Sequence, residues 1–496
     1  MKAVIIGSGI GGLCTGIRLL KEGFDVEIFE KLGQAGGVTS KYECKNNLFQ
    51  FDNTASIAID PLEYDRIFLD VGLNPRDYYQ FIELDVLYKV FFTSGKQYSL
   101  FYDIEKQRNS FESCFDMSFD HYVKFVKEYE SMYSLADRMF LTKPFCQMRD
   151  MFRLQTWKSA MKLKPFSNAS SEISKYIQEK DFCQFLLFQC LYMGFSPYHL
   201  RSTYATIPAV SQTKGIQHIK GGMSAYSSAL IAAFLHLGGI INYDTTVEEI
   251  ELANQIACGI KTNRGHQKAD IVISNADYCQ TISKLTSKSF SPRVLIRKDP
   301  ETFLMSCSVF LLRLALSGRY ETLSVHNIYI NKRFEQEIKR IFDGKKPENP
   351  SLYVYNPAVV DDTFGDASYS CMNVMIRVPN LSFHDVEWDG HTIQTLKRKC
   401  FDILACMTGD HQIEKKVLFQ DYLTPLDFKE QYNCHEGAAF GIAHSATQSI
   451  MFRPQATSTA IKNLYFVGSS IHPGNGVTMV MKSAKIAADL ITLENL

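Results

Sequence analysis

A glycine-rich turn near the start of the chain is the first feature that could do chemistry. The apolar run 3–6 is followed by Gly7, Gly9 and Gly12 in a G-x-G-x-x-G pattern, and then by an amphipathic stretch. Gly7 permits a tight turn, Gly9 lets the backbone approach a pyrophosphate, and Gly12 lets a helix pack closely on a strand. Free N–H groups at the start of that helix favour an anion. The pattern predicts a dinucleotide-binding strand–turn–helix unit.

The residues that follow this turn distinguish between dinucleotides. A second predicted strand, 25–30, ends in Glu30, which can accept a hydrogen bond from a ribose hydroxyl. A further glycine pair, Gly36 and Gly37, comes shortly after this acid and lets the chain return close to the cofactor. That arrangement is typical of FAD-binding two-domain flavoproteins, whereas a dehydrogenase that uses only NAD has no need of it. The sequence therefore predicts FAD as the cofactor.

A second strand–turn–helix pattern lies near the C-terminus, in residues 463–491. It contains an apolar run, Gly468 and Ser469, a His-Pro-Gly sequence that begins at His472, and an amphipathic helix. The first glycine turn can hold only the adenosine and pyrophosphate half of FAD, so we expect the second unit to meet the flavin half. His472 is a candidate proton acceptor because histidine titrates near neutrality. The alternative is that His472 only shapes the turn.

Composition narrows the class of protein. A chain of 496 residues predicts two or three domains. Its net charge of zero offers no basic field for nucleic acid. The 13 cysteines contain no CxxC pair, which favours free thiols over a disulfide framework or a metal site. No signal peptide and no apolar run of membrane-spanning length are evident, so we expect a cytoplasmic protein.

A basic stretch, residues 138–166, has two interpretations. It holds seven Lys or Arg residues and a single acid, Asp150, and apolar residues such as Trp157 recur in it at helical spacing. This combination suits a helix lying in a membrane interface, with an ordinary helix packed on its own core as the alternative. Asp150 and Arg153 can occupy one helical face, where a surface ion pair is the simplest interpretation.

Helical and strand patterns alternate along the chain, with no repeat and no linker rich in Pro, Gly or Ser. They predict an α/β fold in which a Rossmann-like FAD-binding domain is assembled from discontinuous segments. An α+β substrate domain with a helical part is inserted between these segments. The predicted ranges are 1–80, 212–288 and 432–496 for the FAD-binding domain, and 81–211 and 289–431 for the substrate domain, with its helical part at about 104–206.

Together these motifs resemble the bacterial carotenoid desaturase family, which includes phytoene and dehydrosqualene desaturases. The resemblance runs the whole length and rests on GSGIGG, IFEK, HIKGGM, VISNAD, GAAFGIAHSATQSIMFRP and NLYFVGSSIHPGNGV. The stretch NPSLYVYNPAVVDD is closer to the dehydrosqualene branch. The family implies FAD-dependent desaturation of a long isoprenoid at a cytoplasmic membrane surface. Oxygen or a quinone would then reoxidise the cofactor.

The resemblance also implies site residues. Asp150 and Arg153 fall where an acid/base pair has been proposed in phytoene desaturase. Motif positions predict cofactor contacts at Gly7, Gly9, Gly11, Gly12, Glu30, Lys31, Gly36, Gly37, Val38, Val247, Asn275, Gly468, Ser469, Gly476, Val477 and Thr478.

Three positions depart from the family pattern. Val38 replaces the Arg of GGR, Thr54 replaces the Gly of FDxGPT, and Thr478 replaces the Pro that follows HPGxGV. These departures leave open a flavin-dependent polyene saturase, isomerase or oxygenase. A non-catalytic FAD-fold protein that binds a lipid is a further alternative. An amine oxidase would share the architecture, but the C-terminal motif typical of that class is absent.

Overall fold

Strands and helices alternate along the chain in the computed structural model, which describes residues 1–42, 44, 48–54, 56–145, 154–286 and 300–495. The strands are β1 (Lys2–Ile6), β2 (Asp25–Phe29), β3 (Ala58–Ile59), β4 (Phe81–Glu83), β5 (Val86–Phe92), β6 (Gln97–Phe101), β7 (Ile216–Ile219), β8 (Ile240–Asn242), β9 (Val247–Ala253), β10 (Ile256–Thr262), β11 (Gly265–Lys268), β12 (Ile271–Ser274), β13 (Ser308–Ser317), β14 (His326–Ile330), β15 (Leu352–Tyr355), β16 (Tyr369–Val378), β17 (Val417–Leu423) and β18 (Leu464–Phe466). The longer helices are α1 (Ile10–Lys21), α2 (Pro61–Asp70), α3 (Ile104–Cys114), α4 (Phe119–Ala136), α5 (Leu154–Lys162), α6 (Ala169–Tyr176), α7 (Lys180–Cys190), α8 (Thr206–Lys214), α9 (Gly222–His236), α10 (Phe334–Phe342), α11 (Gly390–Thr408), α12 (Pro425–Tyr432) and α13 (Val477–Asn495).

A five-stranded parallel sheet, in the order β18-β12-β1-β2-β8, gathers strands from the two ends and the centre of the chain. Its central strand β1 is apolar because helices cover one face and a smaller apolar core covers the other. The predicted Rossmann-like α/β fold is confirmed. In such a sheet, ligands bind beyond the carboxyl ends of the strands, where the strand order reverses. The predicted domain boundaries stay a prediction.

A seven-stranded sheet, in the order β17-β13-β16-β15-β14-β5-β6, supplies the opposite wall of the site. It is antiparallel except for the β14–β5 pair. Alternate residues of β13 point to opposite faces, so Phe310 and Leu312 pack under α11 while Val309 and Leu311 face the other way.

Helices α3 to α8 enclose an aromatic core that accounts for much of the high Phe and Tyr content. The basic stretch divides in two here. Phe145 packs inside the protein against Phe140, whereas Trp157 and Met161 on α5 are exposed. Residues 146–153, which include Asp150 and Arg153, lie outside the described residues. The single amphipathic face predicted from helical spacing therefore does not extend to Phe145.

Candidate functional site

A cavity of about 420 Å³ opens beyond the carboxyl ends of β1, β12 and β18 and beside the starts of α1 and α13. This volume falls within the range of small-molecule and cofactor sites. Every predicted cofactor contact lines it except Gly12 and Thr478. The two glycine-rich turns, more than 400 residues apart in the sequence, therefore border one space.

In the first glycine turn, neighbouring atoms approach the backbone so closely that side chains have no room. Gly7 has a φ of +91°, which a residue with a side chain adopts only under strain. A Cβ at Gly9 would lie 2.9 Å from Nδ2 of Asn275, and one at Gly11 would lie 2.4 Å from its Oδ1. Gly12 does not line the cavity, and a Cβ there would lie 2.3 Å from the carbonyl oxygen of Gly7. Its role is therefore to let α1 pack against the turn.

The start of α1 is open to an anion. No described side chain forms a capping hydrogen bond at Gly9, so the first N–H groups of this 12-residue helix keep their capacity for a ligand. Glu30 stands nearby at the end of β2, where its Oε2 accepts from Ser8 N at 2.9 Å and its Oε1 accepts from Leu32 N at 3.0 Å. Ser8 Oγ also donates to Oε2 at 2.6 Å. A carboxylate has about four acceptor positions, so one remains for a ribose hydroxyl.

The second turn is connected to the rest of the site through Asn475. Asn475 Nδ2 donates to the carbonyl of Tyr192 at 2.9 Å, and its Oδ1 accepts from His444 Nε2 at 2.7 Å. The Tyr204 hydroxyl then donates to His444 Nδ1 at 2.7 Å. Burial lowers the pKa of His444 well below its usual value, so this ring is neutral and its tautomer is set by its two partners. Asn475 and Tyr192 line the cavity and were missed as site residues, although Asn475 lies in the C-terminal motif.

His472 lies beside the second turn but does not line the cavity. Its Nε2 donates to the carbonyl of Phe140 at 2.9 Å, and its ring meets Phe145 edge-on. Burial lowers the pKa of His472 to about 4, so the ring is neutral near pH 7. This placement suits a residue that shapes the turn, which was the alternative interpretation. The proton-acceptor role stays a prediction, as do the roles of Asp150 and Arg153, which lie outside the described residues.

Two of the three departures from the family pattern contact each other. Thr54 Oγ1 donates to the carbonyl of Val38 at 2.8 Å, and both residues line the cavity. The threonine thus ties the 51–54 loop to the second glycine pair. Thr478, the third departure, lies one residue inside α13 and does not line the cavity.

Apolar and aromatic side chains complete the cavity wall. Val309 on β13 and Met375 on β16 face the cavity from the seven-stranded sheet, and Phe440 lies beside them. Tyr192 and Tyr432 also border this part. Sequence periodicity could mark these residues as buried but could not show which buried positions border a ligand. The cavity therefore combines a polar glycine cradle with an apolar region.

Asp52 is a buried acid next to this site. Its Oδ2 and Oδ1 accept from the backbone N–H groups of Met223 and Ser224, at the start of α9, at 3.0 and 3.2 Å. Burial raises the pKa of Asp52 from its ordinary value of 3.8 to about 6. The folded protein therefore binds this proton more readily than the unfolded chain does.

The raised pKa gives a prediction for stability against pH. Between about pH 4 and 6 the unfolded chain loses the Asp52 proton first, so this group destabilises the fold progressively as pH rises. We expect the unfolding free energy of the wild type, minus that of Asp52→Asn, to fall by at most about 3 kcal/mol across this window. Urea unfolding at pH 4 to 7 measures this difference. A difference that is constant or rises with pH would contradict the assignment.

Comparisons with known proteins place this geometry in context. Residues 5–70 match the model of the NAD(P)-binding Rossmann-like domain. The chain is similar to 4,4'-diapophytoene desaturase (4,4'-diaponeurosporene-forming) of Staphylococcus haemolyticus (strain JCSC1435), with 31% identity that covers 99% of this chain and 98% of that protein.

Solved structures share the fold. An oxidoreductase from Methanosarcina mazei superposes with a TM-score of 0.63 at 16% identity and covers 100% of both chains. A triple mutant of putrescine oxidase superposes with a TM-score of 0.66 at 12% identity, covering 100% of this chain and 99% of the other. At such identities the likeness concerns architecture alone.

Proposed function

The chain belongs to the carotenoid desaturase family, and from that membership we propose that it binds FAD and desaturates a long isoprenoid such as dehydrosqualene (diapophytoene) or phytoene. The observation that carries the proposal is a single cavity in which a dinucleotide cradle adjoins an apolar wall. A soluble, polar substrate would gain no favourable contact from that apolar wall. A hydrocarbon has no polar group and can be held only by shape and apolar contact.

The residues present fit FAD. The start of α1 would hold the pyrophosphate, and Glu30 would accept from the adenosine ribose. Asn275 lies between the first turn and Gly468, so it would separate the two halves of the cofactor site. The second turn and the start of α13 would face the flavin end, where Gly476 and Val477 line the cavity. When bound, FAD supplies a hydride acceptor, which no amino-acid side chain offers.

Desaturation removes a hydride and a proton from neighbouring carbons of the substrate. The protein's part is to align that C–C bond, exclude water and accept or pass on the proton. The hydrocarbon chain of the substrate would be held against the cofactor side of the cavity by Val309, Met375 and Phe440. Aromatic faces there also tolerate positive charge that develops at an allylic carbon. The electrons would leave to oxygen or a quinone.

A direct assay tests the proposed reaction. Purified protein loaded with FAD is mixed with liposomes that contain either dehydrosqualene or phytoene, and absorption is recorded from the near ultraviolet to the visible. We expect new bands at longer wavelength as conjugation extends, with more product from the preferred chain length. Shorter conjugation from a polyene with pre-reduced FAD would instead indicate a saturase. FAD binding with no spectral change on any polyene would leave only the ligand-binding alternative.

A membrane surface is the second part of the proposal, since the substrate dissolves only in lipid. Trp157 on α5 is 55% exposed and Phe166 is 83% exposed, and the exposed Lys158 and Lys162 flank them. Basic heads beside exposed aromatic groups favour an anionic bilayer surface. No helix in the described ranges is both long and apolar enough to cross a membrane. We therefore propose that α5 lies on the bilayer surface.

Trp157 offers its own probe because the chain holds only two tryptophans. In Trp388→Phe, which retains Trp157, we expect a blue-shifted emission and quenching by brominated lipid in phosphatidylglycerol vesicles. The matched variant Trp157→Phe retains Trp388, which packs against the core under α11. It should show neither effect. Equal quenching of both variants, or of neither, would contradict docking through α5.

A further inference from the structure

Arg377 is a buried cation that lies behind the apolar part of the cavity wall, in contact with residues that line it. It lies on β16, where only 6% of it is exposed. Residues two apart on a strand share a face, so Arg377 points to the same side as Met375, which lines the cavity. Its partner across the sheet is Val309, another lining residue. The arginine therefore packs against the side chains that border the substrate region.

The contacts of Arg377 are apolar or weakly polar. Its Nη1 donates to Sδ of Met375 at 2.8 Å, and its guanidinium carbon lies 4.9 Å from the ring centroid of Phe440. Its Nε has no hydrogen-bond partner among the residues that the structure describes. Within the same residues, Arg377 forms no ion pair with a carboxylate. A thioether and an aromatic face are weak compensation for a full buried charge.

Other buried cations of this protein have carboxylate or backbone carbonyl groups as partners. Arg313, also on the seven-stranded sheet, pairs with Asp421 at 3.0 Å. Lys482 pairs with Glu63 and with Asp137. Arg453 donates to the backbone carbonyls of Ser469 and Ile471. Arginine keeps its proton in proteins even when burial lowers its pKa, so Arg377 presents a positive charge that no carboxylate of the described residues pairs.

A hydrocarbon substrate cannot balance this charge, but the redox step can. Loss of a hydride from the substrate, received at the cofactor, transfers one proton and two electrons and so places one negative charge on the cofactor side. The second hydrogen leaves the substrate as a proton, and a C=C bond remains. Resting on the proposed function, we infer that Arg377 is the group that stabilises this negative charge. It thereby raises the reduction potential of the bound flavin.

Arg377 acts here through its charge alone and transfers no proton. A lone cation in a dry, low-dielectric region acts over several ångströms because little solvent screens it. The same charge repels positive charge on the substrate, so its benefit lies in making the cofactor a stronger acceptor. Hydrocarbon oxidation needs such an acceptor because a saturated carbon gives up a hydride from its C–H bond reluctantly.

The test measures the midpoint potential of the bound flavin in the wild type, Arg377→Lys, Arg377→Gln and Met375→Leu. Reductive titration against reference dyes supplies this value without any turnover. We expect Arg377→Gln to shift the reduction equilibrium against the reduced form by at least about tenfold, or about 30 mV for a two-electron couple. Arg377→Lys keeps the charge and Met375→Leu keeps the arginine, so both should stay close to the wild type.

The outcomes separate the two proposals. Failure of the wild type to bind flavin would overturn the proposed function. Normal flavin binding with the same potential in wild type and Arg377→Gln would overturn this inference alone. A shift in Met375→Leu as large as that in Arg377→Gln would also overturn it, because packing rather than charge would then set the potential. If Arg377→Gln fails to fold, Arg377→Met supplies the neutral comparison at similar length.

Discussion

Replacing Gly12 with alanine is expected to weaken FAD binding strongly. The new Cβ would lie 2.3 Å from the carbonyl oxygen of Gly7 and 3.2 Å from Cγ2 of Ile5. A backbone oxygen cannot swing aside as a side chain can, so α1 must move away from the turn that it shapes. Such overpacking costs about 1–3 kcal/mol. Because FAD binding requires the undistorted turn, this free-energy cost weakens FAD binding by about 10- to 100-fold.

Fluorescence titration of the apoprotein with FAD measures this loss, and urea unfolding measures the accompanying loss of stability. Gly390→Ala is the matched control. Gly390 begins α11, far from the cavity lining, and a Cβ there would meet no atom within 4 Å. Alanine favours a helix by up to about 1 kcal/mol over glycine, so this variant should bind FAD normally and be slightly more stable. Equal FAD affinity in Gly12→Ala and the wild type would contradict the proposal that this turn holds the cofactor.

The second large effect is expected from Asn475→Leu, a change that nearly keeps the side-chain volume. It leaves the His444 Nε2–H and the Tyr192 carbonyl without their shared partner in a buried site. Each unsatisfied buried group costs about 1–3 kcal/mol, so the unfolding free energy should fall by about 2–5 kcal/mol. Desaturation should slow by about 100-fold, because the second turn and the Tyr192 wall lose their fixed spacing.

Tyr204→Phe separates this spacing effect from general loosening of the network. It removes the outer hydrogen bonds, a short one to His444 Nδ1 and a long one to Ser449 Oγ, and leaves Asn475 attached to both partners. We expect a stability loss of about 1 kcal/mol and nearly normal turnover. The measurements are urea unfolding and the initial rate of pigment formation. If Tyr204→Phe slowed turnover as much as Asn475→Leu, Asn475 would not be the residue that sets the spacing.

Much of the fold could be predicted from the sequence because its signals are local. The turn at Gly7 to Gly12, the acid at Glu30 and the second glycine pair lie within one short stretch. Backbone freedom and apolar periodicity there specify a strand, a turn and a helix without help from distant residues. The parallel sheet and the family followed from these motifs.

Other features depended on contacts that no local pattern encodes. His472 was singled out for its residue type, yet the fold buries it and directs its Nε2 to the Phe140 carbonyl. Thr54 and Val38 looked like separate departures, but the fold joins them by a hydrogen bond. Arg377 carried no signal at all in the sequence. Its importance comes from the neighbours that β16 gives it.

The sequence by itself determined the nature of the parts: a dinucleotide turn at each end of the chain, an acid for the ribose and an apolar interior. Only the tertiary structure decided which parts meet. Pairing of β12 and β18 beside β1 brings Asn275 and Gly468 to the first turn, and the register of β16 against β13 places Arg377 beside Val309, which lines the cavity. Local propensity depends on neighbouring residues, whereas register depends on the packing of the whole sheet.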